Sequence, residues 1–143
     1  MKKLFPFLLC FLFLSCSSGH LYVQKRAITV QQLASTHVNT PDYRQKDYPS
    51  GEKIVVSWDY PLSDFQKGLT MFLTVRFMNH EQKTFSYPLK RKRGIHAFYF
   101  YNSPDEEDQD ILTYKIEVKT DQGVVLDVWK QQLWTELIEL SDD

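Results

Sequence analysis

Four adjacent cationic side chains, Lys90, Arg91, Lys92 and Arg93, run into Gly94. Ammonium and guanidinium donors clustered in a loop suit an anion: an acidic polymer, a phosphorylated headgroup or an acidic protein partner. Shortly after them come Asp105, Glu106, Glu107, Asp108 and Asp110. Neighbouring carboxylates can hold calcium, but this tract lacks the Asp-x-Asp-x-Asp-Gly spacing and the turn glycine of such a loop, so no metal site is expected there. Opposite in charge, the two tracts also have the chemistry to join neighbouring molecules in low salt. His20, His37, His80 and His96 show no paired spacing, which leaves zinc without a local ligand set. The chain has five glycines. It has no Gly-x-Ser-x-Gly turn, phosphate-cradling glycine loop or dinucleotide fingerprint, so neither catalytic residues nor a cofactor are expected.

Aromatic side chains offer a second kind of chemistry, stacking against flat or apolar ligand faces. Trp58 lies in an alternating apolar run and is expected in the core. Phe98, Phe100 and Trp129 fall on strand faces that oppose the expected core positions. With Lys90, Arg91, Lys92 and Arg93 they are the candidate binding residues, because an exposed aromatic strip marks a recognition surface.

The two cysteines are Cys10 and Cys16. Lys2 and Lys3 precede a run from Leu4 to Leu14 made only of Leu, Phe, Pro and Cys, which is the layout of a secretory signal. The run is shorter than the roughly 20 apolar residues of a spanning helix, and Pro6 interrupts it. It ends Leu12-Phe13-Leu14-Ser15-Cys16-Ser17. This resembles the lipobox of bacterial lipoproteins, with Phe13 where that family usually has Leu. The resemblance implies a signal over residues 1–15, cleavage before Cys16, and a Cys16 that carries lipid on a cell-envelope membrane. Ser17 is not the Asp that often marks inner-membrane retention in that family, which favours the outer membrane.

Loss of the signal removes Lys2 and Lys3, leaving 15 basic against 18 acidic residues, a net charge near −3. That balance does not suit nucleic acid, and it leaves membrane attachment to the lipid. With Cys16 acylated, no thiol remains for a disulfide, so packing must hold the fold.

Residues 16–50 read as a lipidated tether and lead-in segment, partly extended, with Ile28 to Ala34 suited to a short strand or helical turn; the sequence leaves open whether residues 17–50 are a free tether or a strand packed on the sandwich, and Ile28 and Val30 suit docking. Pro41, Pro49 and Gly51 argue against a long helix, and the domain boundary is placed near residue 50. Period-two alternation then dominates over residues 51–143: Ile54, Val56, Trp58 and Tyr60; Leu69 to Phe77; Phe85, Tyr87 and Leu89. Ile95 to Tyr101 is a strand of less distinct faces. Leu112, Tyr114, Ile116 and Val118 follow, and Asp121-Gln122-Gly123 turns into Val124, Leu126 and Val128. The tail from Leu133 to Leu140 fits either a last strand or a short helix.

These short strands imply an all-β fold, an antiparallel sandwich. The early-strand Trp58 and the Tyr-bearing strand that enters a hairpin resemble immunoglobulin-like and fibronectin type III-like domains, without their inter-sheet cysteine pair. The resemblance bears on fold, not on activity. The leading expectation is a lipid-anchored, non-enzymatic binding or structural module that engages another envelope protein. A lipoprotein that binds glycan or lipid through its aromatics comes second, and an envelope hydrolase third.

Overall fold

The computed structural model describes residues 19–102 and 110–136. The expected signal, Cys16, residues 105–108 of the acidic tract and the tail beyond residue 136 lie outside the described residues. Among the described residues the chain forms seven strands: β1 (Leu21–Ile28), β2 (Gly51–Asp59), β3 (Leu69–Phe77), β4 (Gln82–Pro88), β5 (Arg93–Tyr101), β6 (Ile111–Thr120) and β7 (Val125–Lys130). One sheet has the order β1-β2-β5 and the other β4-β3-β6-β7. Every pairing is antiparallel. The chain is all-β, an immunoglobulin-like sandwich that changes sheet after β2, β4 and β5.

The inner faces follow the alternation. Ile54, Val56 and Trp58 of β2 meet Met71, Leu73 and Val75 of β3 and Tyr114, Ile116 and Val118 of β6 in one buried cluster. Each such side chain taken out of water contributes about 1.5–3 kcal/mol. Asp121 to Gly123 turns β6 into β7, and Gly123 takes the left-handed backbone (φ 80°) that this turn needs.

Residues 21–28, part of the expected lead-in, form the sandwich's first strand. β1 pairs along its whole length with β2, from Leu21 opposite Trp58 to Ile28 opposite Gly51. The sheet therefore takes in residues well before the boundary expected near residue 50. The link to β2 holds a 3-10 turn at Val30–Gln32, one helical turn at Ala34–His37 and a second 3-10 turn at Tyr43–Gln45. Asp42 caps the last by accepting the Arg44 N–H at 3.0 Å.

Three strand faces differ from the expected ones. On β5, Phe98 lies opposite Ile54 and His96 opposite Val56. Directly paired residues share a sheet face, so Phe98 and Phe100 turn inward with the core. In β6 the register shifts between Arg76, paired with Thr113, and Phe77, paired with Ile111. The extra residue is Leu112, and Ile111 takes the core position in its place. A second shift, from Lys119–Val125 to Val118–Asp127, leaves Leu126 as the extra residue in β7. Beyond it Trp129 lies opposite Ile116 and joins the core face, while Val128 turns out to solvent.

Candidate binding surfaces

The basic tract closes the crossing from β4 to β5. Leu89 is buried, and its N–H donates to the Leu69 carbonyl at 2.9 Å. The Tyr60 N–H donates to the Lys92 carbonyl at 2.8 Å, and the Trp58 indole Nε1–H donates to the Arg91 carbonyl at 2.9 Å. Backbone groups are thus tied inward, while the Lys90, Arg91, Lys92 and Arg93 side chains are all exposed. Gly94 lets the strand pass against Trp58: a Cβ there would stand 2.4 Å from Trp58 Cζ2.

Arg93 donates to the Asp59 carboxylate, through Nε at 3.0 Å and through a second nitrogen. The Arg93 hydrogen bonds hold the Asp59 carboxyl below its usual range. The pair is solvent-exposed, so its effect lies in local geometry more than in stability. His20 binds the same place, its Nδ1 2.9 Å from the Asp59 carbonyl and its own carbonyl accepting the Asp59 N–H at 3.0 Å. The N-terminal end of the described chain and the basic tract therefore share one end of the sandwich. An open cleft of about 380 Å³ lies there between Trp58, Tyr87, Arg91 and Ile95.

Phe98, Phe100 and Trp129 form no outward strip. Phe98 and Phe100 fill the seam between β5 and β4, the facing edge strands of the two sheets. Phe100 meets Phe85 edge-on at 5.5 Å and Phe77 at 6.1 Å, and Phe98 lies 6.4 Å from Phe85. His96 stacks on Tyr87 at 3.8 Å, and burial pushes its imidazole below the usual histidine value. Trp129 stacks on buried Tyr114 at 5.3 Å. These residues hold the sandwich together and do not lie with the basic tract as one site.

No protein-family model matches this chain, and comparison with curated proteins finds no significant match. The surface must speak through its own chemistry. Among the described residues, no group of three or more His, Cys, Asp or Glu is placed to hold a metal ion, and no helix is long and apolar enough to cross a membrane.

The outward apolar residues are instead the alternate set. Ile95 (68% exposed), Tyr99 (54%) and Tyr101 (52%) project from β5, and Tyr22 (62%) from β1. Register puts Ile95, Ser57 and Tyr22 in one row of the three-stranded sheet and Tyr99, Lys53 and Arg26 in another. Tyr99 and Tyr101 stack at 6.0 Å with an interplanar angle of 12°. Alternation did not reveal this strip, because both residue sets of β5 are apolar and period two distinguishes faces only when one set is polar. Pairing with Ile54 and Val56 is the signal that separates them.

Residues 131–136 cover part of the outer face of the four-stranded sheet, around Arg76 and Lys115. Trp134 lies over Arg76, whose guanidinium carbon is 4.8 Å from the ring centroid, and Lys115 Nζ approaches the same ring at 5.3 Å. Arg76 donates to the Thr135 carbonyl at 3.3 Å, and Lys130 to Glu136 at 2.8 Å. The Lys130 and Trp134 hydrogen bonds bring the Glu136 carboxyl down to about 2. The three-stranded sheet thus offers the more open apolar face.

Proposed function

We propose that this protein is a lipid-anchored module of the bacterial cell envelope, non-enzymatic, that holds a β-sandwich on the membrane through Cys16 and binds another envelope protein. Ser17 after Cys16 favours the outer membrane. The observation that carries the binding role is the outward set of Tyr22, Ile95, Tyr99 and Tyr101, each more than half exposed on one sheet face. Tyrosine brings a large contact area and a polar tip at low conformational cost, which is why protein interfaces are enriched in it.

The Tyr99–Tyr101 stack supports a second reading, recognition of an envelope glycan, since two near-parallel rings in series offer a platform for sugar faces. One experiment separates the two. A photocrosslinking residue is placed at Tyr99, at Ile95, and at the exposed Ser86 of the opposite sheet in the native host. Discrete protein adducts from Tyr99 and Ile95 but not from Ser86 are the expected result. Adducts that resist protease and yield to a glycan-cleaving enzyme favour the glycan reading, and no adduct from either position overturns both. The anchor is tested by labelled palmitate incorporation with Cys16→Ser as control. Label that enters and is lost on substitution supports it; a mature chain that carries no label overturns it.

A further inference from the structure

We propose that the end of the sandwich bearing Lys90, Arg91 and Lys92 rests on anionic phospholipid headgroups of the membrane that holds the anchor, an inference that depends on the lipid attachment at Cys16. The first ground is reach. Three residues, and so four residue-to-residue steps, lie between Cys16 and His20, and even a fully extended chain spans at most about 3.6 Å per step. His20 therefore lies no more than about 14 Å from the lipid-bearing residue. His20 is itself bound to Asp59, and Asp59 to Arg93. The anchor thus delivers this end, and not the opposite one, to the headgroup layer.

The second ground is charge. Among the described residues Arg93 is engaged by Asp59, while Lys90, Arg91 and Lys92 enter no ion pair. Their loop is held by the hydrogen bonds of the Lys92 and Arg91 carbonyls, so its backbone has little conformational freedom left to lose when the side chains meet phosphates. Attraction to an anionic leaflet fades within a Debye length, about 8–10 Å. Only charges kept close by a short leash can use it, which explains how a chain of net negative charge can have an attractive end. Asn102 and Asp110 stand at the far end of β5 and β6, about 27 Å from the basic tract along a nine-residue strand.

The test uses residues 16–143 coupled through Cys16, their single cysteine, to a maleimide bearing one acyl chain, because one chain alone binds only marginally and leaves partitioning sensitive to charge. Flotation compares vesicles of phosphatidylcholine alone with vesicles containing phosphatidylglycerol. The variant Lys90→Gln/Arg91→Gln/Lys92→Gln alters exposed side chains and leaves the Arg91 carbonyl to Trp58. Native protein should prefer the phosphatidylglycerol vesicles, and the variant should lose about fivefold per side chain, on the order of a hundredfold for the three. Both should float equally on phosphatidylcholine. Equal flotation of native and variant protein on phosphatidylglycerol overturns the proposal, even if both prefer it, since another surface would then be responsible. The acyl chain is attached chemically, so this result is independent of whether the cell lipidates Cys16, which palmitate labelling decides.

Discussion

At the residue scale, Trp58 shows how one side chain sets the shape of a loop. Its ring is core, as its place in the alternation of β2 implies, but its indole N–H reaches out to hold the Arg91 carbonyl. Gly94 is the counterpart whose meaning is hidden in the sequence. It reads as a loop ending, yet its task is to leave room for the Trp58 ring. Gly94→Ala therefore forces a Cβ into Trp58 and should cost about 1–3 kcal/mol by overpacking, read as a lower urea midpoint at unchanged slope. An unchanged midpoint would mean that Trp58 can shift freely. His96 makes a second residue-scale prediction through burial on Tyr87. Its folded-state pKa lies below the ordinary 6.5. Above that value the ring is neutral in both states. As pH falls through it the unfolded chain takes up a proton that the folded chain does not, so stability declines until the folded pKa is reached. His96→Phe should weaken the fall of the urea midpoint as pH drops through the ordinary histidine value of 6.5; an identical acid slope in both proteins would assign the dependence to other groups.

At the element scale, strands with one apolar and one polar residue set are legible, and β2, β3 and β4 lie where alternation places them. β1 is not, because Lys25 and Ala27 break its inward set, which an edge strand tolerates and a central strand does not. The two bulges are equally silent in the sequence, since an extra residue reverses the face of everything beyond it without altering composition. Alternation alone puts Trp129 on the wrong face for this reason, and it does the same to Phe98 and Phe100 because β5 is apolar on both faces. Lys90 to Arg93 were legible as an exposed basic loop, but their neighbourhood with His20 depends on the pairing of β1, β2 and β5. The segment 131–136 is the other element that alternation could not supply, for it is neither strand nor helix. Trp134 is only 9% exposed and lies against Arg76 and Lys115. Trp134→Ala should cost about 3 kcal/mol in stability and raise hydrogen exchange in β6 and β7 above that in β2. Exchange raised uniformly, or not at all, would mean that the segment does not protect this sheet locally.

At the scale of the whole molecule, strand direction decides which parts a lipid anchor presses to the membrane and which it holds away. β1 begins beside Trp58 and runs away from the basic tract, so the end nearest the proposed anchor also carries the cationic loop, while Tyr99 and Tyr101 lie toward the other end of β5. With the proposed lipid in place, a short leash would make the loop's encounter with headgroups effectively intramolecular, and its strength would then depend on tether length. Inserting a flexible Gly-Ser segment of about 20 residues between Ser18 and Gly19 adds a root-mean-square reach of about 25 Å, well beyond the Debye length of about 8–10 Å. No contact within the sandwich changes, so the urea midpoint should stay as it is. The preference of the singly acylated protein for phosphatidylglycerol over phosphatidylcholine should instead fall toward that of the Lys90→Gln/Arg91→Gln/Lys92→Gln variant. A lengthened protein that keeps the full preference would show that the loop finds headgroups without the leash, and tether length would then have no part in orienting the domain. Loss of the preference in the lengthened protein, with Tyr99 crosslinks retained, would separate the two surfaces: one end set by the lipid, the sheet face left open to its partner.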